Sequence, residues 1–200
     1  MSRFILVLAA SLLGAAWLGA GDALAAPPMP PATQPQARAP AGHGRVSDLI
    51  VKDVKEVPGY LCGSARTTLT TMPQVLERNF LPIPAKAREN HLALSGPALF
   101  VYHGCTGDPD QPFALDTGFI VEPDTKDLGD LKVKKLPAFR AATAYYTGPV
   151  TGLGEAFGKL FAQLGAAGYT PTDETREVYL WWEGPESPNN VVELQVGIGP

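Results

Sequence analysis

The fold is decided by a seven-residue stretch that occurs twice in the chain. Val54-Lys55-Glu56-Val57-Pro58-Gly59-Tyr60 recurs 79 positions later as Val133-Lys134-Lys135-Leu136-Pro137-Ala138-Phe139. In each copy a β-forming run meets a proline, which cannot donate to a strand ladder, and a second extended stretch follows at residues 61–69 and 140–147. The repeat therefore predicts two similar halves, each starting with a strand that is interrupted at its proline.

A helix is predicted after the interrupted strand in each half. In the second half, helical spacing is shown by Leu153, Phe157, Leu160, Phe161 and Leu164, and the helix is expected to end at Gly165 and Gly168. In the first half, the same spacing is shown by Met72, Val75, Leu76 and Phe80, with Pro73 in the first turn and Pro82 as the stop.

Two strands are predicted after each helix. Residues 98–102 are expected to pair with residues 114–121, and residues 177–182 with residues 191–198. The order strand, helix, strand, strand thus occurs twice. This predicts an α+β fold of duplicated modules with pseudo-twofold symmetry, in which an antiparallel sheet carries two helices and a central cleft can hold a small molecule.

The N-terminal residues predict a signal peptide at residues 1–25. Arg3 is a short positive region, residues 4–20 carry no charge, and Ala23-Leu24-Ala25 has the small-residue pattern of a cleavage site. An uncleaved membrane anchor is the alternative, but the many Ala and Gly residues favour cleavage. We therefore expect a periplasmic or secreted protein without stable membrane insertion after cleavage.

The mature chain is predicted to contain one folded domain behind a tether. Residues 26–45 are rich in Pro and Ala and cannot bury a core, so they are assigned to a tether, and residues 46–200 to the domain. Cleavage removes Arg3 and Asp22, one basic and one acidic residue, so the net charge stays at −4. Basic residues are not concentrated anywhere, which argues against a nucleic-acid partner.

Two cysteines, Cys62 and Cys105, are the only ones in the chain. In an oxidising compartment they permit one disulfide, and the equally weighted alternative is a pair of small buried side chains that never meet. His103 lies close to Cys105 in sequence, but two possible ligands without a second cluster do not make a zinc pattern. No metal or other cofactor is indicated.

The chain resembles the GyrI-like family, the small-molecule-binding domain of AraC-type and MerR-type multidrug regulators that also occurs in stand-alone proteins. The resemblance covers about 150 residues, more weakly in the first half. It rests on the helix after the second repeat, on a last strand ending at Ile198, and on three motifs: Tyr146-Thr147-Gly148-Pro149, Gly168-Tyr169-Thr170-Pro171 and Arg176-Glu177-Val178-Tyr179-Leu180.

The resemblance implies a central pocket lined by aromatic side chains, with an acidic residue that recognises cationic aromatic or amphipathic compounds. The acidic residue of the family's Glu-x-Tyr-Leu strand falls on Glu177. The sequence departs from the regulators because it contains no helix-turn-helix segment and has an export signal, so a transcriptional role is not expected.

Alternation along the strand that starts at Arg176 divides its side chains between two faces. Glu177, Tyr179 and Trp181 are predicted to form a ligand-contacting patch, and the apolar set Val178, Leu180 and Trp182 is expected to lie under the helices. The alternative is an exposed sheet face on which Glu177 is only solvated.

Further aromatic residues are placed at the cleft by the repeat. One of the adjacent Tyr145 and Tyr146 is expected to face inward and the other solvent, and the sequence does not decide which. By the pseudo-symmetry, Phe100 corresponds to Tyr179 and Tyr102 to Trp181, so both are candidates for the opposite wall, with ordinary core packing as the alternative.

The sequence therefore favours an exported protein that captures an amphipathic or cationic aromatic compound for sensing or sequestration. One alternative is a hydrolase of strained electrophilic molecules that uses the carboxylate of Glu177 to activate water. Another is an envelope protein that docks on an unidentified protein partner and binds no small ligand.

The signal peptide leads to the first prediction, which concerns processing. Because Ala23 and Ala25 satisfy the small-residue rule, the exported protein should begin at Ala26. The intact mass of the exported protein measures this directly, and a product that still contains Trp17 would contradict it.

Overall fold

The computed structural model describes residues 44–199 of the 200-residue chain. The predicted signal peptide and most of the predicted tether lie outside these described residues. Within this range the chain forms nine strands, one 3-10 turn (Val150–Gly152) and three α-helices, α1 (Met72–Asn79), α2 (Ile83–Glu89) and α3 (Leu153–Ala166). The strands are β1 (Arg45–Val46), β2 (Ile50–Val54), β3 (Val57–Thr67), β4 (Ala98–His103), β5 (Phe113–Ile120), β6 (Lys132–Leu136), β7 (Phe139–Thr147), β8 (Pro171–Trp181) and β9 (Val191–Ile198).

All nine strands join one antiparallel sheet in the order β1-β7-β9-β8-β4-β5-β3-β6, with β2 also paired to β7. The first-half strands β3, β5 and β4 and the second-half strands β7, β9 and β8 therefore run inward from the two ends of this order and meet at its centre. The first strand of each half also pairs with a strand of the other half: β2 pairs with β7, and β6 pairs with β3. The predicted α+β fold of two duplicated modules is confirmed.

The prolines of the repeat act in two different ways. Pro58 lies within β3, where the register to β6 shifts between Val57 and Tyr60. Pro137 separates β6 from β7 completely. At both positions the hydrogen-bond ladder between strands is interrupted, because proline has no N–H to donate. The interruption allows the chain to change its pairing partner in the sheet.

The pseudo-twofold axis passes through the pairing of β4 with β8. In that pairing Phe100 lies opposite Glu177 and Ala98 opposite Tyr179. The 79-residue offset of the sequence repeat converts Ala98 into Glu177 and Phe100 into Tyr179, and so exchanges these two pairs. The symmetry inferred from the sequence is thus the symmetry of the sheet.

One face of the sheet carries α1 and α3 and the two largest apolar clusters. The cluster under α3 includes Leu153, Leu160 and Leu194, and the cluster under α1 includes Met72 and Phe100. The opposite face carries a separate cluster of buried residues: Tyr60, Cys62, Leu99, Val101 and Leu136. Within residues 44–199, the helices are too short or too polar to cross a membrane.

The expected assignment of the faces of β8 is wrong. Val178 packs on the cluster of Tyr60 and Leu99, away from the helices, and Leu180 and Trp182 are exposed. The helices instead cover the face that carries Glu177 and Tyr179. Strand alternation separates two faces but does not say which one the helices will cover. In the first half, the predicted helix ends at Asn79, and a second helix, α2, starts after Pro82.

The two cysteines are not bridged; both are free thiols. Cys62 is buried on the face opposite the helices, whereas Cys105 packs against the cluster under α1. The sheet lies between them, so their Cβ atoms cannot approach to bonding distance. Of the two alternatives left by the sequence, the structure shows the unpaired one.

The second prediction follows from the positions of the thiols. Two thiols per chain should titrate after unfolding, and a reductant should leave the melting temperature unchanged. Burial raises the pKa of both thiols, that of Cys62 to about 12. In the folded protein Cys105 should react faster, because it is half-buried whereas Cys62 is fully buried. Thiol titration with and without denaturant measures this, and a reductant-sensitive melting curve would contradict it.

Candidate functional site

A cavity of about 390 Å³ lies between the helices and the helix-covered face of the sheet. Strands β4 and β8 contribute Tyr102, Thr175 and Glu177, so the cavity lies over the pseudo-twofold junction. Leu69 and Met72 line it on the side of α1. Residues 104–107, between β4 and β5, and residues 171–173, at the start of β8, complete the lining.

Helix α3 lines the cavity with one face. Gly154, Phe157, Gly158 and Phe161 follow the spacing i, i+3, i+4, i+7, which brings side chains onto one face of an α-helix. A Cβ atom at Gly158 would meet no other atom within 4 Å. The absence of a side chain at Gly158 therefore leaves open space in the cavity, and the two phenyl rings beside it supply flat apolar surface.

The carboxylate of Glu177 is buried in this apolar setting, and the residue is 2% exposed. The Tyr179 hydroxyl donates a hydrogen bond of 2.7 Å to Glu177 Oε2, and the Tyr102 hydroxyl bonds the same carboxyl group. Within residues 44–199, Glu177 forms no ion pair with a Lys, Arg or His side chain. The carboxylate thus has hydrogen-bond donors but no cationic partner.

Burial changes the titration of this group. Loss of hydration raises the pKa of Glu177 to about 7, and the hydrogen bonds from Tyr179 and Tyr102 limit the rise because they stabilise the charged form. Burial and the nearby Glu177 carboxylate also raise the pKa values of Tyr102 and Tyr179 well above the ordinary value of 10.0, so both hydroxyls remain donors. Near neutral pH the cavity can therefore hold either a neutral carboxyl or an uncompensated negative charge.

Of the predicted site residues, four come together around the carboxylate: Glu177, Tyr102, Tyr179 and Phe100. Glu177 and Tyr102 line the cavity, and Tyr179 bonds Glu177 directly. Phe100 packs against Tyr179 with 5.1 Å between ring centroids and so fixes the phenol that holds the carboxylate.

Three predicted residues lie elsewhere. Trp181 is 59% exposed, because the β8–β9 register shifts between Tyr179 and Trp181 and the alternation of faces does not continue past that irregularity. Tyr146 is buried in the cluster under α3, where its hydroxyl donates to the Pro149 carbonyl, and Tyr145 lies partly exposed on the other face of β7. The adjacent tyrosines do face opposite ways, with Tyr146 inward, but neither lines the cavity.

Other cavity residues were not singled out by the sequence as site residues. Phe157 and Phe161 were interpreted as core positions, and neither Gly154 nor Gly158 was interpreted as a cavity position. A sequence signal did exist: Gly154 and Gly158 lie four residues apart on the helix face that also carries the two phenylalanines. Glycine inside a helix costs about 0.5–1 kcal/mol relative to alanine, so its presence on a buried face indicates that space is needed there.

No three His, Cys, Asp or Glu side chains converge within residues 44–199 in a way that could hold a metal ion. The arrangement can instead offer an organic ligand one carboxylate, held by two phenol hydroxyls, and several aromatic surfaces.

Comparisons with known proteins agree with this description. The family model for the GyrI-like small molecule binding domain matches residues 64–198. No curated protein sequence matches the chain.

Among solved structures, the chain is similar to the EcmrR C-terminal domain at 20% identity, with 78% of this chain and 98% of that chain covered and a TM-score of 0.59. It is also similar to SAV2435, in a structure bound to tetraphenylphosphonium, at 8% identity with 76% and 94% covered and a TM-score of 0.57. The chain matches EcmrR in its DNA complex at 21% identity and a TM-score of 0.61, covering 76% of this chain but only 57% of that one. These similarities show a shared fold.

The third prediction concerns the effect of pH on stability. Because the pKa of Glu177 is about 7 in the folded protein and 4.5 is its ordinary value, ionisation favours the unfolded chain. The titration of Glu177 therefore leaves the free energy of unfolding unchanged below about pH 4.5 and lowers it as the pH rises from about 4.5 to 7. Above pH 7 the free energy of unfolding stays at the lower value. The total loss is about 3 kcal/mol.

Glu177→Gln removes this titration while keeping the shape of the side chain. Chemical denaturation of both proteins from pH 4 to pH 8 measures the free energy of unfolding. The value for the variant should rise relative to that of the wild type between about pH 4.5 and 7. Parallel pH profiles for the two proteins would contradict the burial of an ionisable Glu177.

Proposed function

Because the chain belongs to the family of GyrI-like small molecule binding domains, we propose that its cavity binds a lipophilic aromatic cation and that Glu177 supplies the opposite charge. The observation that carries this proposal is the buried carboxylate without a cationic partner. An unpaired charge in an apolar site is costly, and a ligand that brings a positive charge removes that cost on binding.

The size and lining of the cavity agree with such a ligand. Its volume of about 390 Å³ lies in the range of about 300–1,000 Å³ that is typical of small-molecule sites. The rings of Phe157 and Phe161 offer stacking surface, and Tyr102 adds an aromatic ring whose face attracts cations. SAV2435, which shares the fold, has been solved bound to tetraphenylphosphonium, a cation of this class.

The site of action proposed for the protein is outside the cytoplasm. This rests on the signal peptide predicted at residues 1–25. In that compartment a protein with this cavity would sequester a toxic cation or sense it for a partner. The sequestering role needs only the cavity described above, whereas sensing also needs a protein partner.

The fourth prediction tests the charge of the site with tetraphenylphosphonium as the probe. Wild-type protein should bind it, and Glu177→Gln should bind it about 10- to 150-fold more weakly, because a charge-assisted contact worth about 1.5–3 kcal/mol is lost. Affinity of the wild type should rise with pH up to about 7, where Glu177 becomes ionised, and then level off. Isothermal titration at several pH values measures all of these quantities.

Two matched controls are available: one for the loss of a carboxylate elsewhere on the protein, and one for the addition of a large side chain to α3 outside the cavity. Glu56→Gln removes a carboxylate that pairs with Lys135 on the exposed surface, so it should leave binding unchanged. Gly158→Leu fills the cavity and should abolish binding, whereas Gly165→Leu adds the same side chain to an exposed position of α3 and should not.

The outcomes distinguish the possible functions. A wild-type protein that binds no lipophilic cation, or a Glu177→Gln variant that binds it equally well, would show that the proposal is wrong. Chemical conversion of a strained electrophilic compound by the wild type but not by Glu177→Gln would instead support the hydrolase alternative, in which the same raised pKa suits a general base.

A further inference from the structure

Three consecutive apolar side chains are exposed where β8 ends. Leu180, Trp181 and Trp182 are 46%, 59% and 40% exposed, and we call them the Trp patch. They make up half of the six large hydrophobic side chains that are exposed within residues 44–199. Single exposed apolar residues are common, but three in succession, two of them with indole rings, are typical of a surface that another segment covers.

The rings of the Trp patch are held in place although they are exposed. Trp181 Nε1 donates to Glu183 Oε1 at 3.1 Å, and Glu183 Oε2 accepts bonds from Ser187 and Asn189 at 2.7 and 2.9 Å. The ring of Trp182 meets the ring of Tyr179 edge-on, with 5.7 Å between centroids. Side chains that are already ordered lose little conformational entropy on binding, so the patch is prepared for a partner.

The N-terminal end of the described chain lies beside the loop that holds the patch. Gly44 is so close to Gly148 that a Cβ atom on Gly148 would be 2.6 Å from the Gly44 Cα. The backbone N–H of Gly148 donates to the Asn190 carbonyl at 3.0 Å, and that of Val150 to the Pro185 carbonyl at 2.9 Å. Residues that precede Gly44 therefore join the domain next to the 183–190 loop.

The sequence of that preceding segment is complementary to the patch. Residues 26–43 contain Arg38 and no acidic residue, whereas the loop carries Glu183 and Glu186. The segment has six prolines: Pro27, Pro28, Pro30, Pro31, Pro35 and Pro40. Proline-rich segments dock on grooves lined by aromatic rings at a low entropic cost, because the unbound chain is already restricted.

We propose that residues 27–40 of the chain dock on the Trp patch, with prolines against the ring of Trp181 and Arg38 near Glu183 and Glu186. The distance is short enough for this. Trp181 is three strands away from β1 in the order β1-β7-β9-β8, or about 14 Å at 4.8 Å per strand. An extended proline-rich chain advances about 3.1 Å per residue, so the six residues from Arg38 to Gly44 span about 19 Å.

The fifth prediction tests this docking by trypsin cleavage after Arg38 in the purified protein. A segment tethered this closely has an effective concentration of about 1 mM near the patch. With a Kd of ~0.1 mM for the patch, the segment is bound about 90% of the time. Because trypsin cuts only the unbound segment, cleavage is slowed about tenfold. Trp181→Ala should therefore accelerate release of the peptide ending at Arg38 by about five- to tenfold, measured by mass spectrometry. Glu186→Gln should accelerate it by about twofold, because it removes one exposed charge.

Leu81→Ala is the matched control, because Leu81 is an exposed apolar residue between α1 and α2, in the other half of the sheet order. It should leave the rate unchanged, and the melting temperatures of all variants should match the wild type. Equal cleavage rates in wild type, Trp181→Ala and Glu186→Gln would overturn the proposal. Protection that grows with protein concentration would also overturn it, because it would place the segment on a second copy of the chain.

Discussion

The antiparallel pairing of β4 with β8 is the interaction on which the rest of the structure depends. It is the contact that joins the two halves of the sheet, and it fixes the pseudo-twofold axis between them. Because the same face of both strands is covered, α1 and α3 approach each other above the junction, and the space they leave becomes the cavity. The register of this one pair also places Glu177 beside Phe100 and so sets its surroundings.

The burial of Glu177 is a local departure from the way in which stable domains are built. Buried carboxylates are usually paired with a cation, and here two tyrosine hydroxyls provide the bonds instead. The helix-covered face also carries the two largest apolar clusters, so the domain can tolerate one unfavourable group. Such departures from local rules concentrate at functional sites, because a group that is too stable in the free protein has little to gain from a ligand.

The sequence predicted the architecture well because the repeat of residues 54–60 and 133–139 carries information about long-range order. It also singled out Glu177, which lines the cavity, although that assignment came from the resemblance and not from the alternation of the strand. The covered face of β8, the irregularity after Tyr179 and the placement of Tyr145 and Tyr146 were not predicted. Each depends on how helices and neighbouring strands pack, and a two-residue period contains no information about that.

The counterpart of Glu177 in the first half of the repeat is Ala98. Two equivalent acids would let a ligand with one charged end enter in either of two degenerate orientations, which is worth about 0.4 kcal/mol of orientational entropy. With alanine on one side, the site has a definite direction although the sheet around it is nearly symmetric. The direction of the cavity is therefore set by the charge at one pair of related positions, Ala98 and Glu177, and not by the path of the backbone.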